Sequence, residues 1–211
     1  MPETPPLPVS RRSVLAAAAL AAPGAARRPV VTLLGDSITA GFGLPAAQAL
    51  PAQLQAALAR LGSDAVVRGA GVSGDTSAGG LARVDFSVQR DTDVCVVALG
   101  ANDLLQGLEP RVTEANLDRI VVRLQARRIG VVLAGLAAPP AVGRSYARDF
   151  DAAFAAVARR RKVALYPDLL AGVGRIPRLN QRDGIHPNAQ GVQVIAGRLA
   201  PAVARALRAR A

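Results

Sequence analysis

From residue 29 onward, short apolar runs alternate with longer stretches in which apolar residues recur every three or four positions. The short runs are VVTLLG (30–35), AVVRG (65–69), VCVVALG (94–100), GVVLAGL (130–136) and VALYP (163–167). Each is rich in valine or leucine and apolar on both faces, as strands of a covered parallel sheet are. The longer stretches predict helices over about 46–61, 76–89, 114–128, 146–161 and 188–209, with Pro187 placed to open the last. Strand–helix alternation of this kind predicts an α/β domain, a three-layer α/β/α sandwich with a five-stranded parallel sheet and right-handed crossovers. No internal repeat or linker interrupts the pattern, so residues 27–211 read as one domain.

The polar clusters fall at particular points on this scaffold. GDSITAGFG follows the first strand, GVSGDTSAGG the second and GANDLLQG the third, while DGIHPNAQG precedes the last helix. Ligands of an open parallel sheet bind outside the carboxyl ends of its strands. Four separated clusters are thereby expected to meet on one rim, bringing together Ser37, Gly74, Asn102, Asp183 and His186.

Composition narrows the function classes. The chain has 211 residues, 51% of them hydrophobic and 19% charged, which fits a folded globular protein. Its formal charge of +11 raises nucleic acid or an anionic membrane as partners. The basic residues are spread along the chain, however, and all but Lys162 are arginine. Trp is absent and aromatics are 3%, so stacking platforms for bases are scarce and no nucleic-acid partner is expected. A single cysteine, Cys95, sits in an apolar run and excludes an intrachain disulfide. One Cys and one His are too few for an ordinary zinc site, and no cofactor is expected.

The N-terminal stretch SRRSVLAAAALAAPGAARRP has an arginine pair, an apolar run too short to span a bilayer, and small residues beyond it. Residues 1–26 are therefore expected to be a signal peptide of the twin-arginine type, directing the chain to the periplasm or outside the cell.

Ser37, His186 and Asp183 are the residue types of nucleophilic acyl transfer. A serine hydroxyl is a poor nucleophile until a base takes its proton, and histidine is the usual base near neutral pH. An aspartate three residues before that histidine can orient the ring. The backbone N–H groups of Ser37 and Gly74, with the side-chain amide of Asn102, could supply three donors to a developing oxyanion. Plainer roles exist for the same residues. Asp36 or Ser37 could cap a helix, and Asn102 and Asp103 could be turn residues.

A different chemistry is spelled by Gly69, Gly71 and Gly74, which form G-x-G-x-x-G after a strand. The acid that a dinucleotide site requires is poorly supplied, since Asp91 and Asp93 begin the following strand rather than end it. Neither G-x-S-x-G nor a Walker-type phosphate loop occurs. A non-catalytic basic binding module is the remaining alternative.

The blocks GDSIT, SGDT, GAND and DGIHP, in this order, resemble those of the SGNH (GDSL-type) hydrolase superfamily. The spacing is most similar to its bacterial arylesterases and acyl-CoA thioesterase I/lysophospholipase L1, and the likeness runs over roughly residues 29 to 200. The resemblance implies a flavodoxin-like five-stranded fold and hydrolysis of carboxylic esters or thioesters without a cofactor. It implies Ser37 as nucleophile, His186 as base, Asp183 as its partner, and Gly74 and Asn102 beside the Ser37 N–H in the oxyanion hole. Small acyl esters or thioesters are the implied partners, with transient membrane contact if lysophospholipids are substrates. A carbohydrate O-deacetylase of the same superfamily is the alternative, and the scarcity of aromatics argues against it. Gly69 stands where relatives often carry Asn, and Ala101 where they often carry Gly.

Overall fold

The structure, a computed structural model, describes Met1 and residues 27–210; the expected signal segment lies outside the described residues apart from Met1. Strands β1 (Val30–Gly35), β2 (Val66–Gly71), β3 (Val94–Ala98), β4 (Gly130–Ala134) and β5 (Ala164–Tyr166) form one sheet in the order β2-β1-β3-β4-β5. All pairings are parallel, with Val31 set between Val67 and Val94, and Gly35 between Gly71 and Ala98.

Alternation along each strand builds two cores. Val31, Leu33, Val94, Val96 and Val132 point to the face covered by α2 (Leu50–Arg60) and α7 (Ala189–Arg208). Leu34, Cys95, Val97, Val131 and Leu133 point to the face covered by α3 (Ser77–Ser87), α5 (Pro110–Ala126) and α6 (Arg144–Arg161). In α7, Val192, Ile195, Ala196, Leu199, Val203 and Leu207 keep the three- and four-residue spacing that turns one stripe inward. Two interior faces explain why the central strands β1, β3 and β4 read as unbroken apolar runs, whereas the edge strands β2 and β5 are only partly buried.

The strand order fixes where a ligand can sit. From β1 the chain crosses to β2 on one side, and from β3 it crosses to β4 on the other. The crevice beyond the carboxyl ends of β1 and β3 is therefore the switch point of the sheet. Two short helices, absent from the periodicity, begin there: α1 (Ser37–Ala40) and α4 (Ala101–Leu105).

Several boundaries differ from expectation for local reasons. Helix α2 begins at Leu50 instead of 46, because Pro51 fits only a first turn; Ala46–Gln48 form a separate 3-10 turn. Pro110 likewise starts α5 four residues early. Pro187 lies outside α7, since Asn188 takes the cap position and its side chain accepts the Gly191 N–H at 3.1 Å. Strand β3 stops at Ala98, and Gly100, at φ 120°, turns the chain into α4. Strand β2 runs to Gly71, where a β-carbon would strike the Ala40 nitrogen at 2.3 Å. β5 is only three residues long and partly exposed.

Candidate active site

Ser37 is the first residue of α1, which β1 delivers directly to the switch point. Asp36 caps that helix, its Oδ1 accepting the Ile38 N–H at 3.0 Å. The capping role and the display of Ser37 thus belong to neighbouring residues, and neither reading displaces the other. Asp36 is buried, and burial pushes its carboxyl up to about 6, against the pull of the Ile38 N–H.

The loop before α7 brings the histidine across. His186 Nε2 lies 2.9 Å from Ser37 Oγ, and His186 Nδ1 lies 2.7 Å from Asp183 Oδ2. The other oxygen of Asp183 accepts the backbone N–H groups of Ile185 at 2.9 Å and His186 at 3.0 Å. The turn is closed by Gly184 at φ 71°. The His186 backbone N–H first, then its ring and the Ile185 N–H, hold the Asp183 carboxyl down to about 2. That carboxylate is anionic throughout the physiological range.

Gly74 and Asn102 reach the same cleft from the loops after β2 and β3. Ser37, Ile38, Phe42, Ser73, Gly74, Ala101, Asn102, Leu105, Ile185 and His186 line an opening of about 230 Å³. Gly74 takes φ 85°, a conformation that favours glycine, and no atom would obstruct a β-carbon there. Among the described residues the Gly74 N–H has no acceptor, and the Ser37 N–H opens a helix, where no intrahelical acceptor exists. Asn102 Nδ2 donates to the Asp75 carbonyl at 2.9 Å, which fixes the amide and leaves its second N–H for the cleft. All five residues singled out from the sequence therefore meet in one place, with Asp183 behind the imidazole.

Residues to which the sequence assigned no chemistry hold this arrangement. Arg83 of α3 donates to Asp75 Oδ2 at 2.6 Å and to the carbonyls of Ala70 and Gly35, both at 2.8 Å. It thereby clamps the ends of β1 and β2 to the residue that anchors Asn102. Asp103 is fully buried and accepts from Ser77 N–H at 2.7 Å, from the Ser77 hydroxyl and from Thr113 Oγ1 at 3.0 Å. Gln181 Nε2 donates to the Phe42 carbonyl at 2.8 Å and to that of Pro187 at 3.1 Å, stitching the histidine loop to the serine loop. The Phe42 ring rests 4.6 Å, centroid to centroid, from that of His186. No periodicity announces such contacts.

The dinucleotide motif dissolves in the structure. Gly69 and Gly71 belong to β2, where Gly69 leaves room for Pro51 and Gly71 for α1. Asp91 and Asp93 are engaged at the amino edge with Arg68 and Arg27.

Comparison with known proteins agrees with the geometry. The model of the GDSL-like Lipase/Acylhydrolase family matches residues 33–194. The chain belongs to this family. It is accordingly an esterase-type hydrolase with the SGNH hydrolase fold. The chain is 42% identical over 156 residues to Esterase TesA of Pseudomonas aeruginosa, covering 74% of this chain and 78% of that one. It is 36% identical over 165 residues to Thioesterase 1/protease 1/lysophospholipase L1 of Escherichia coli K12, covering 78% of each. The crystal structure of AlinE4, a SGNH-hydrolase family esterase, superposes with a TM-score of 0.72 at 40% identity, over 86% of this chain and 98% of that one.

Proposed function

We propose that this GDSL-family chain hydrolyses carboxylic esters or thioesters through an acyl-enzyme on Ser37. The observation that carries the reading is the unbroken line from Ser37 Oγ through the His186 ring to the Asp183 carboxylate. His186 Nε2 takes the hydroxyl proton as Oγ adds to the acyl carbon. The tetrahedral oxyanion is met by the N–H groups of Ser37 and Gly74 and by the free N–H of Asn102. As the bond to the leaving alcohol or thiol breaks, Nε2–H returns the proton to it. Water then adds to the acyl-enzyme with His186 again as base, releasing the acid and restoring Ser37. Asp183 keeps Nδ1 protonated and stabilises the imidazolium without taking the proton itself.

Aryl esters and short- to medium-chain acyl esters, including lysophospholipids, are the proposed substrates. A groove of about 300 Å³ adjoins the cleft; Ile38, Leu104, Leu105, Leu136, Leu170 and Ile185 line it, with Asp168 and Arg175 also in its wall. The aliphatic part of that wall suits an acyl chain, and the 3% aromatic content leaves little for a sugar to stack on. Export by the twin-arginine-type segment is proposed with it, which favours esters and lysolipids over cytoplasmic acyl-CoA. The test is hydrolysis of p-nitrophenyl acetate, butyrate and octanoate by the native chain, Ser37→Ala and His186→Ala. Activity lost in both variants is the expected result; undiminished turnover by Ser37→Ala would overturn the assignment. The export reading is checked by sequencing the N-terminus of protein recovered outside the cytoplasm.

A further inference from the structure

Each of the five loops leaving the carboxyl ends of the strands exposes one large apolar side chain: Phe42, Val72, Leu105, Val142 and Ile185, after β1 to β5 in turn. Their exposures run from 42% to 61%. Three of them, Phe42, Leu105 and Ile185, line the cleft that holds Ser37 and His186. A lone exposed apolar residue is ordinary, whereas five along one edge of the sheet, three of them lining its cleft, mark a contact surface.

The same edge is basic. Arg175, Arg178 and Arg182, on the loop between β5 and α7, are exposed, and no carboxylate pairs with them among the described residues. Arg175 and Arg182 line a groove of about 380 Å³ that reaches Gly184, next to Ile185 of the cleft. Nearby carboxylates are turned to other partners: Asp75 is ion-paired with Arg83, Asp183 faces the His186 ring and Asp168 accepts the Leu170 N–H. Glu109 at the start of α5 is exposed without a side-chain partner; with Asp183 and Asp168, which keep their charge, it is one of three acids on this edge, and none of them pairs with the three guanidiniums.

We propose that this face docks on an anionic lipid surface. The arginines meet the phosphates, the five apolar side chains enter the headgroup layer, and the cleft faces the lipid ester bonds. The chemistry is that of interfacial protein segments, which combine inserted apolar residues with guanidiniums at the headgroups. The proposal rests on the ester-hydrolase reading of the cleft but is tested separately from it.

The measurement is partition of the full chain onto phosphatidylglycerol and phosphatidylcholine vesicles, for the native protein, Arg178→Gln/Arg182→Gln and Arg205→Gln/Arg208→Gln. The first 26 residues are common to all three, so differences between variants isolate the face. Arg205 and Arg208 end α7, about 30 Å of helix away from the cleft. They remove the same charge from the opposite end of the molecule. Each arginine near an anionic surface is worth about fivefold in partition. Arg178→Gln/Arg182→Gln should therefore bind phosphatidylglycerol roughly 25-fold less tightly. The Arg205/Arg208 pair should stay within about twofold of native, since its charges lie well beyond a Debye length from the lipid. Hydrolysis of soluble p-nitrophenyl butyrate should be unchanged in both.

Equal losses in the two double variants would reduce the effect to net charge and overturn the proposal. Native protein indifferent to phosphatidylglycerol over phosphatidylcholine would overturn it too, as would binding to a DNA duplex with none to vesicles. A native chain that binds as expected yet leaves every ester intact would instead sink the hydrolase reading and leave the docking face standing.

Discussion

Replacing Asp36 by Asn removes a buried charge while keeping the cap that opens α1. Asp36 is 2% exposed, and its Oδ1 accepts the Ile38 N–H, a bond that an asparagine oxygen can also accept. Burial first, with the nearby Asp75 carboxylate adding to it, raises the carboxyl from 3.8 to about 6; the Ile38 N–H and the charge of His186 act the other way. A shift of about two units corresponds to about 3 kcal/mol at roughly 1.4 kcal/mol per unit. The folded state holds this proton to higher pH than the unfolded chain does. The contribution is therefore complete below about 3.8 and is lost as pH rises through about 6. Other carboxylates, among them Asp118 and Asp183, shift downward and bend the stability curve the opposite way. Only the difference between the native chain and Asp36→Asn isolates this residue.

The assay is urea unfolding from about pH 4 to about pH 7.5, where this linkage acts. Far-UV circular dichroism is the readout, because the chain has no Trp. Asp36→Asn should gain about 2–3 kcal/mol on the native chain across that range. Its stability at the acid end depends on how the asparagine Nδ2 is satisfied and is not the test. Parallel curves would refute the reasoning, since they would mean that folding leaves the Asp36 proton affinity unchanged.

Other outcomes follow from the site. Asp183→Asn removes the carboxylate that stabilises the imidazolium and should lower kcat on the order of 10³–10⁴-fold. Because the native carboxyl is held down to about 2, no limb of the native pH–rate profile above about pH 4 should vanish with it. Any stability that Asp183 contributes persists above the ordinary carboxylate range and is lost only as pH falls toward about 2. Asn102→Ala should lower kcat about 10²–10³-fold with little change in KM, the signature of a donor used in the transition state; a change confined to KM would remove it from that role. Cys95 is fully buried and its thiol is pushed up to about 12, so it should resist a disulfide reagent in the folded protein and react at once in denaturant.

The sequence by itself determined the sheet and the edge on which chemistry gathers. Five apolar runs imply strands covered on both sides, which holds for β1, β3 and β4 but not for the half-exposed edges β2 and β5. Polar clusters immediately after the first three imply a site at the carboxyl ends. Ser37, Gly74, Asn102, Asp183 and His186 were legible because each sits in a short block whose place on the scaffold follows from local pattern alone. Helix boundaries were less so, since Pro51, Pro110 and Asn188 decide them by single-residue competition that periodicity averages away.

Only the tertiary structure decided what holds the site together. Gln181 meets the Phe42 carbonyl across 139 positions, and Arg83 meets Gly35 across 48. These contacts join residues that no local window compares, and their side chains carry the same polar letters as residues that merely face water. Asp103 shows the point most plainly. Its position at the start of α4 reads as a turn, yet three hydrogen bonds bury it completely at the junction of α3, α4 and α5. A polar residue's fate is set by the partners that folding brings to it, and those partners are chosen by the packing of whole layers, not by neighbours in the chain.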